Sequence, residues 1–78
     1  MATAFKRFDV RKLLASGVEP LPEIRKRVTA LKANEGLTII APFLPSPLIE
    51  LLRGEGFDCR IERQLDGGWV VHFSRDAD

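Results

Sequence analysis

The chain has 78 residues, of which 45% are hydrophobic and 29% are charged, and its formal net charge is +1. This length allows one small domain, and no apolar run approaches the roughly 20 residues of a membrane-spanning helix. One cysteine excludes an internal disulfide, and a single histidine beside it gives no zinc-ligand spacing, so we expect no metal and no cofactor.

The first predicted element is a strand from Phe5 to Val10, where apolar and polar residues alternate loosely. The residues from Arg11 to Val18 are predicted to be a connection. It ends near Gly17, a residue type that is typical of turns.

A helix is predicted from about Pro20 to Ala33. Its apolar residues repeat at helical spacing and form one stripe, which consists of Leu21, Ile24, Val28 and Leu31. Proline suits the first turn of a helix, because its φ is fixed and its missing N–H costs nothing there. We expect Asn34 or Gly36 to end this helix in the left-handed conformation.

The run from Leu37 to Ala41 is rich in β-branched residues and predicts a buried second strand. A proline-rich segment then interrupts regular structure. Ser46 is a good N-cap and Pro47 a good first residue for a short helix over Leu48 to Arg53. The glycines that follow are expected to end it.

The last predicted element is a hairpin of Phe57 to Leu65 and Trp69 to Arg75. A two-residue loop would set Glu62 against the core, whereas a three-residue loop over Asp66 to Gly68 gathers the apolar side chains on one face. The pairs predicted with this loop are Leu65 with Trp69, Arg63 with Val71, and Ile61 with Phe73. On the other face Glu62 would lie opposite His72 and form a weak ion pair.

The element order is therefore β-α-β-α-β-β, without a repeat or a linker. If the first two strands are parallel neighbours, the right-handed crossover rule places both helices on the same side of the sheet. The predicted fold class is an α/β two-layer sandwich, with a four-stranded mixed sheet and two helices on one face. We expect a single domain over residues 1–78, frayed at residues 1–4 and 76–78.

The net charge hides an asymmetry between the two halves. Residues 1–32 hold eight basic and three acidic residues, a net charge of +5, whereas residues 33–78 hold four basic and eight acidic residues, a net charge of −4. Such runs are more often solvated faces than binding sites. Nucleic-acid binding is therefore not expected, although the basic residues Arg25, Lys26, Arg27 and Lys32 leave weak RNA binding as an alternative.

The segment from Gly17 to Pro22, which we call the elbow, is the first place to look for a site. Glu19 stands immediately before Pro20, where the positive end of the helix dipole and unpaired N–H groups meet. A charged group is stabilised at such a place.

Five short motifs mark the predicted elements. They are Phe8-Asp9-Val10-Arg11, Glu19-Pro20-Leu21-Pro22, Gly36 before the second strand, Pro45-Ser46-Pro47-Leu48, and Gly68-Trp69-Val70-Val71. Together they resemble the TusA-like (SirA-like) sulfur-carrier family, in an uncharacterised bacterial branch. The resemblance covers nearly the whole chain and implies the same two-layer fold and a protein partner.

The sequence departs from that family at its reactive position. The resemblance implies a persulfide-carrying cysteine where this chain has Glu19, and a carboxylate cannot form or pass on a persulfide. Cys59 alternates with Phe57 and Ile61, so its side chain is expected in the core. We therefore expect no catalytic residue, and a sulfur relay through Cys59 is the enzymatic alternative.

The favoured function is a non-catalytic binding or regulatory module that docks to a protein partner around the elbow. The candidate binding residues are Asp9, Arg11, Lys12, Glu19, Pro20, Pro22, Arg25 and Lys26. We expect a monomer or weak dimer with no membrane association. A cytoplasmic location is expected, because the first residues lack the apolar stretch of a secretory signal.

Overall fold

Four strands and three helices make up residues 4–75, the part of the chain that the computed structural model describes. In chain order they are β1 (Ala4–Asp9), α1 (Arg11–Ala15), α2 (Leu21–Thr29), β2 (Glu35–Ala41), α3 (Ser46–Gly54), β3 (Phe57–Arg63) and β4 (Trp69–Arg75). The fraying expected at residues 1–3 and 76–78 lies outside the described residues, and Ala4 is already part of β1.

The strands form one mixed sheet in the order β1-β2-β4-β3. The strands β1 and β2 are parallel, as expected, and Phe8 lies opposite Ile39. The strand β4 is antiparallel to both of its neighbours, so β1 and β3 are the edges of the sheet.

The core lies between one face of this sheet and the helices α2 and α3. Its most deeply buried side chains are Leu37, Ile39, Leu52, Val71 and Phe73. Three members of the predicted α2 stripe, Ile24, Val28 and Leu31, are buried in the same cluster. The predicted α/β sandwich is confirmed. The opposite side of the sheet, which carries Thr38 and His72, is the open face.

The segment predicted as a connection contains the additional helix α1, which has five residues. Its backbone bonds begin with Leu14 N–H, which donates to the Val10 carbonyl at 3.0 Å. The prediction missed it because little more than one turn leaves no periodic pattern to detect.

The helix α2 is shorter than predicted, since it ends at Thr29 rather than near Ala33. Neither Asn34 nor Gly36 adopts the left-handed conformation expected of a helix cap. Gly36 instead lies within β2, where a Cβ atom would fall 2.5 Å from a Phe5 ring carbon and 2.7 Å from the Phe73 carbonyl oxygen. The glycine allows this close approach of strands and does not end a helix.

The hairpin has the predicted loop length, but its loop begins one residue earlier. Gln64 N–H donates to the Gly68 carbonyl at 2.8 Å, which leaves a three-residue loop that starts at Leu65. Gly67 takes the left-handed position, at φ 89°. The observed pairs are Arg63 with Trp69, Ile61 with Val71, Cys59 with Phe73, and Arg60 with His72, so the predicted pairing was wrong by two residues.

The helix α3 begins one residue earlier than predicted, because Pro45 is its N-cap and Ser46 is its first residue, and no side chain caps it. None of the helices in residues 4–75 has the length and apolar character needed to cross a membrane.

Candidate functional site

An apolar cleft opens beside the elbow, where the parallel strands β1 and β2 end. Val10 follows β1, Ala41 is the last residue of β2, and both line the cleft. In open α/β sheets, ligands commonly bind in the crevice outside the carboxyl ends of the strands. The fold therefore places this cleft where such sheets usually carry a site.

Three segments line the cleft around these strand ends. The elbow and the start of α2 contribute Glu19, Pro20 and Leu21, and the loop between β2 and α3 contributes Phe43 and Pro45. The cleft has a volume of about 250 Å³, and its surface is almost entirely apolar. This lies just below the ~300–1,000 Å³ of ordinary small-molecule sites.

The end of α1 sets the direction of the elbow. Gly17 has φ 77°, its N–H donates to the Leu14 carbonyl, and Val18 N–H donates to the Leu13 carbonyl at 2.9 Å. These two bonds form a complete Schellman motif, which requires a left-handed residue at Gly17. The chain therefore turns sharply after α1 and brings Pro20 to the start of α2.

Glu19 is exposed at the edge of the cleft, and its Oε1 accepts a hydrogen bond from Leu21 N–H at 3.3 Å. The carboxylate therefore contacts one of the unpaired N–H groups at the start of α2, as the sequence indicated. Among the residues that line the cleft, Glu19 is the one with an ionisable side chain.

Asp9 and Arg11 form a charged cluster of their own near the end of β1. The Arg11 guanidinium donates to both carboxylate oxygens of Asp9, with the shorter contact at 2.7 Å, and Arg11 N–H donates to Oδ1 at 3.0 Å. These bonds lower the pKa of Asp9 from its ordinary 3.8 to about 2. Arg11 also lies 3.5 Å from Asp66 in the hairpin loop.

The remaining candidate residues are not gathered around Glu19. Arg25 forms an ion pair with Glu55, which connects α2 to the residue after α3. Lys12, Pro22 and Lys26 are exposed and do not line the cleft. Of the eight candidate binding residues, only Glu19 and Pro20 belong to the cleft.

Sequence reasoning missed the apolar residues at the mouth of the cleft. Phe43, which is 53% exposed, and Leu21 line the cleft, and the exposed residues Val18 and Leu44 are next to lining residues in the sequence. The helical pattern assigns Leu21 to the core stripe, but this residue lies at the end of α2 that adjoins the cleft. The signal that could have found the mouth was Pro42-Phe43-Leu44-Pro45, because large apolar residues between prolines cannot enter a regular core element.

Cys59 is only partly buried and packs against the core cluster on the helix side of β3. Burial raises the pKa of its thiol, although the nearby positive charge of Arg53 acts in the opposite direction. A raised pKa leaves less thiolate at neutral pH, and the thiolate is the form that attacks or carries sulfur.

The open face carries a second groove, whose surface is more polar than that of the cleft. His72 lies there between two partners, since Nδ1 is 2.8 Å from the Thr38 hydroxyl and Nε2 is 2.8 Å from the Glu62 carboxylate. A carboxylate only accepts, so Nε2 donates to Glu62, and the hydroxyl of Thr38 bonds to the other ring nitrogen. This chain of hydroxyl, imidazole and carboxylate runs from Thr38, which is 9% exposed, outward to the Glu62 side chain, which is 60% exposed and lines the groove with His72.

The apolar cleft can bind an apolar group and hold one carboxylate beside it. No histidine, cysteine, serine or lysine lines the cleft within the described part of the chain. Glu19 is the one side chain of this lining that could exchange a proton with a bound molecule. The cleft therefore offers an apolar surface with a single carboxylate at its edge.

Comparison with known proteins places most of the chain in one family profile. The profile described as "Uncharacterized conserved protein (DUF2249)" matches residues 7–75, which include every helix and the hairpin. No curated protein and no solved structure matches the chain.

This finding overturns the identification with the TusA-like (SirA-like) carriers, because the family that matches is a different one. The short motifs that carried the resemblance are those of strand ends and helix starts, and their turn and capping residues recur in unrelated folds. The interpretation of Glu19 as the successor of a persulfide cysteine is therefore withdrawn.

Proposed function

The chain belongs to the DUF2249 family of uncharacterized conserved proteins, and we propose that it is a non-catalytic protein-binding module. In this proposal the apolar cleft receives one apolar side chain from a segment of a partner protein. Glu19, at the edge of the cleft, pairs with a lysine or arginine of the same segment. The proposal includes a cytoplasmic location.

The observation that carries the proposal is the exposed apolar surface around the cleft. Phe43, Val18, Leu21 and Leu44 are each at least 37% exposed, and each lines the cleft or is next in the sequence to a residue that does. Large apolar side chains that are exposed around a cleft are typical of an interaction site. Aromatic side chains such as Phe43 are also enriched at the centres of protein interfaces.

The size of the cleft supports a side chain as the occupant. Its volume of about 250 Å³ is small for a cofactor or a drug-sized ligand, which usually needs ~300–1,000 Å³. Apolar anchors that enter well-packed pockets supply most of the binding energy in protein interfaces.

The Glu19 carboxylate at the edge of the cleft favours a partner segment that carries a positive charge. Glu19 is exposed, and within residues 4–75 it takes part in no ion pair. Its Oε1 accepts a long hydrogen bond from Leu21 N–H at 3.3 Å, and the other carboxylate oxygen has no hydrogen-bond partner within the described residues. A cation placed beside the bound apolar side chain would meet this carboxylate and add selectivity more than affinity.

The experiment that tests the proposal places a photo-crosslinking benzoylphenylalanine at Phe43 in the full chain inside cells. We expect a discrete protein adduct whose attachment site lies at an apolar residue next to a lysine or arginine. The same probe at Leu65 is the matched control, because Leu65 is fully exposed at the hairpin tip and does not line the cleft.

A second substitution connects the adduct to the cleft. Leu21→Lys in the Phe43 probe variant should abolish the adduct, since it places a charge at the mouth while leaving the buried core residues untouched. Equal adducts at both probe positions, or an adduct that survives Leu21→Lys, would contradict the proposal.

A further inference from the structure

The edge strand β3 presents an unusual charge pattern to solvent. Its residues from Phe57 to Arg63 read Phe-Asp-Cys-Arg-Ile-Glu-Arg, and Asp58, Arg60 and Glu62 share the open face. Charged side chains on an edge strand ordinarily oppose pairing with another strand. Here the charges alternate in sign, so their effect depends on the register of a partner strand.

The hydrogen-bond phase of β3 shows which backbone groups are available. Gln64 N–H donates to the Gly68 carbonyl, so Gln64 and Gly68 form a bonded pair. Bonded and non-bonded pairs alternate along an antiparallel ladder. The even-numbered residues of β3 therefore bond to β4, and Cys59 and Ile61 point their N–H and C=O groups outward from the sheet.

Two-fold pairing of β3 with a second copy can be centred on any of three residues. Centring on Arg60 sets Arg60 opposite itself and Asp58 opposite Glu62, which repels. Centring on Ile61 sets Glu62 of each copy opposite Arg60 of the other, so that the Glu62 carboxylate is shared between Arg60 and His72, to which it already bonds at 2.8 Å. Centring on Cys59 sets Asp58 of each copy opposite Arg60 of the other.

The Cys59-centred register gives a partner both to the charged side chains of Asp58 and Arg60 and to the outward backbone groups of β3. Asp58 and Arg60 are exposed, and within residues 4–75 neither has an ion-pair partner. The outward backbone groups of Cys59 and Ile61 become bonded to the other copy. Phe57 lies opposite Ile61, which is 40% exposed in the single chain and would be covered.

From this geometry we infer that the chain pairs with a second copy of itself through antiparallel β3 edges centred on Cys59. The result is a continuous eight-stranded sheet with the helices of both copies on the same side. This inference does not depend on the apolar cleft, so either proposal can fail alone.

Sedimentation velocity on the full chain tests the inference from about 10 µM to about 1 mM, a range suited to a small interface. We expect the dimer fraction to rise with concentration. Arg60→Asp should raise the dissociation constant at least about tenfold. The substitution places an aspartate opposite Asp58 of the other copy, and the two-fold symmetry repeats this repulsive pair. Arg7→Asp is the matched control, since Arg7 is an exposed arginine on the open face of the other edge strand, and it should change nothing.

The charge swap Asp58→Arg with Arg60→Asp should restore the dimer to within about threefold of the wild type, because the cross-copy pairs are re-formed with reversed sign. In the Ile61-centred register the same swap would set the new aspartate at position 60 opposite Glu62 and would fail. Restoration by Arg60→Glu with Glu62→Arg instead would overturn the Cys59 register.

Hydrogen exchange of the wild type supplies a test without any substitution. The amides of Cys59 and Ile61 should become more protected as concentration rises, whereas those of the other edge strand, β1, should not. A monomer at every concentration, or equal weakening by Arg7→Asp, would overturn the inference.

Discussion

His72 Nε2 bonds to the Glu62 carboxylate at 2.8 Å, although the backbone register sets Arg60, and not Glu62, opposite His72. The contact is diagonal across the two strands, a separation that long side chains can span. The predicted pairing of Glu62 with His72 on the open face is therefore present in a register that was not predicted.

The two partners of His72 should contribute unequally to stability. Thr38→Val removes a nearly buried hydroxyl that bonds to Nδ1, and should lower the free energy of unfolding by about 1 kcal/mol. Glu62→Ala should change it by less than about 0.5 kcal/mol, because the side chain is 60% exposed. Urea unfolding of both variants measures the difference, and a Thr38→Val variant as stable as the wild type would contradict this ranking.

Most of the fold was predictable because its signals are local and periodic. The apolar stripe of α2 and the β-branched run of β2 each determine one buried face, and together they fix the two-layer sandwich. The hairpin loop was misplaced by one residue because Gly67 and Gly68 both suit the left-handed position. The shift moves the pairing by two residues and keeps the same faces, so the side-chain pattern could not distinguish the two.

The candidate site was less predictable, because it is made by segments that are distant in sequence. The elbow was identified from Glu19 and Pro20, but its apolar partner surface comes from Phe43 in a loop more than 20 residues later. The charged residues around the elbow were predicted to bind a partner from their residue types alone. Arg11 is instead paired with Asp9, two residues away, and lies near Asp66, whereas Arg25 is paired with Glu55; only the tertiary fold brings Asp66 and Glu55 near these arginines.

Asp9 should make stability depend on pH in the acid range. Its pKa is lowered from 3.8 to about 2, chiefly by hydrogen bonds from the Arg11 side chain and backbone. A carboxyl group with a lowered pKa contributes stability above its ordinary pKa, and the contribution disappears as pH falls through the folded-state pKa. Asp9→Asn should therefore lower the melting temperature at about pH 5 and should converge with the wild type near pH 2.

The control for this prediction removes the other partner. Arg11→Gln should reproduce most of the loss seen in Asp9→Asn, and the double variant should lose little more, because the two residues act as one unit. Carboxyl chemical shifts followed by NMR give the titration midpoint directly. A midpoint for Asp9 near its ordinary value would contradict the assignment.

Cys59 should react slowly with thiol reagents in the native protein. Burial raises the pKa of the thiol, and its side chain packs against the core. Labelling at neutral pH should be at least about tenfold slower than in denaturant, because both thiolate fraction and access are reduced. Ser16→Cys in a Cys59→Ala background is the control, since Ser16 is exposed, and it should label equally fast in both conditions. Fast native labelling of Cys59 would instead favour the sulfur-relay alternative.

Gly36 should tolerate no side chain, whereas Gly54 should. A Cβ atom at Gly36 would lie 2.5 Å from a Phe5 ring carbon and 2.7 Å from the Phe73 carbonyl oxygen, while none lies within 4 Å at Gly54. Gly36→Ala should cost about 1–3 kcal/mol in urea unfolding, because the backbone of the central strand β4 cannot move away. Gly54→Ala, at the end of α3, should be neutral or stabilise by up to about 1 kcal/mol.

A double variant separates the two contacts at Gly36. The Phe5 ring is 46% exposed and can move, but the Phe73 carbonyl belongs to the β2–β4 ladder. In a Phe5→Ala background, Gly36→Ala should therefore keep most of its cost. Full relief by Phe5→Ala would show that the ring alone excludes a side chain, and that the backbone of β4 does not.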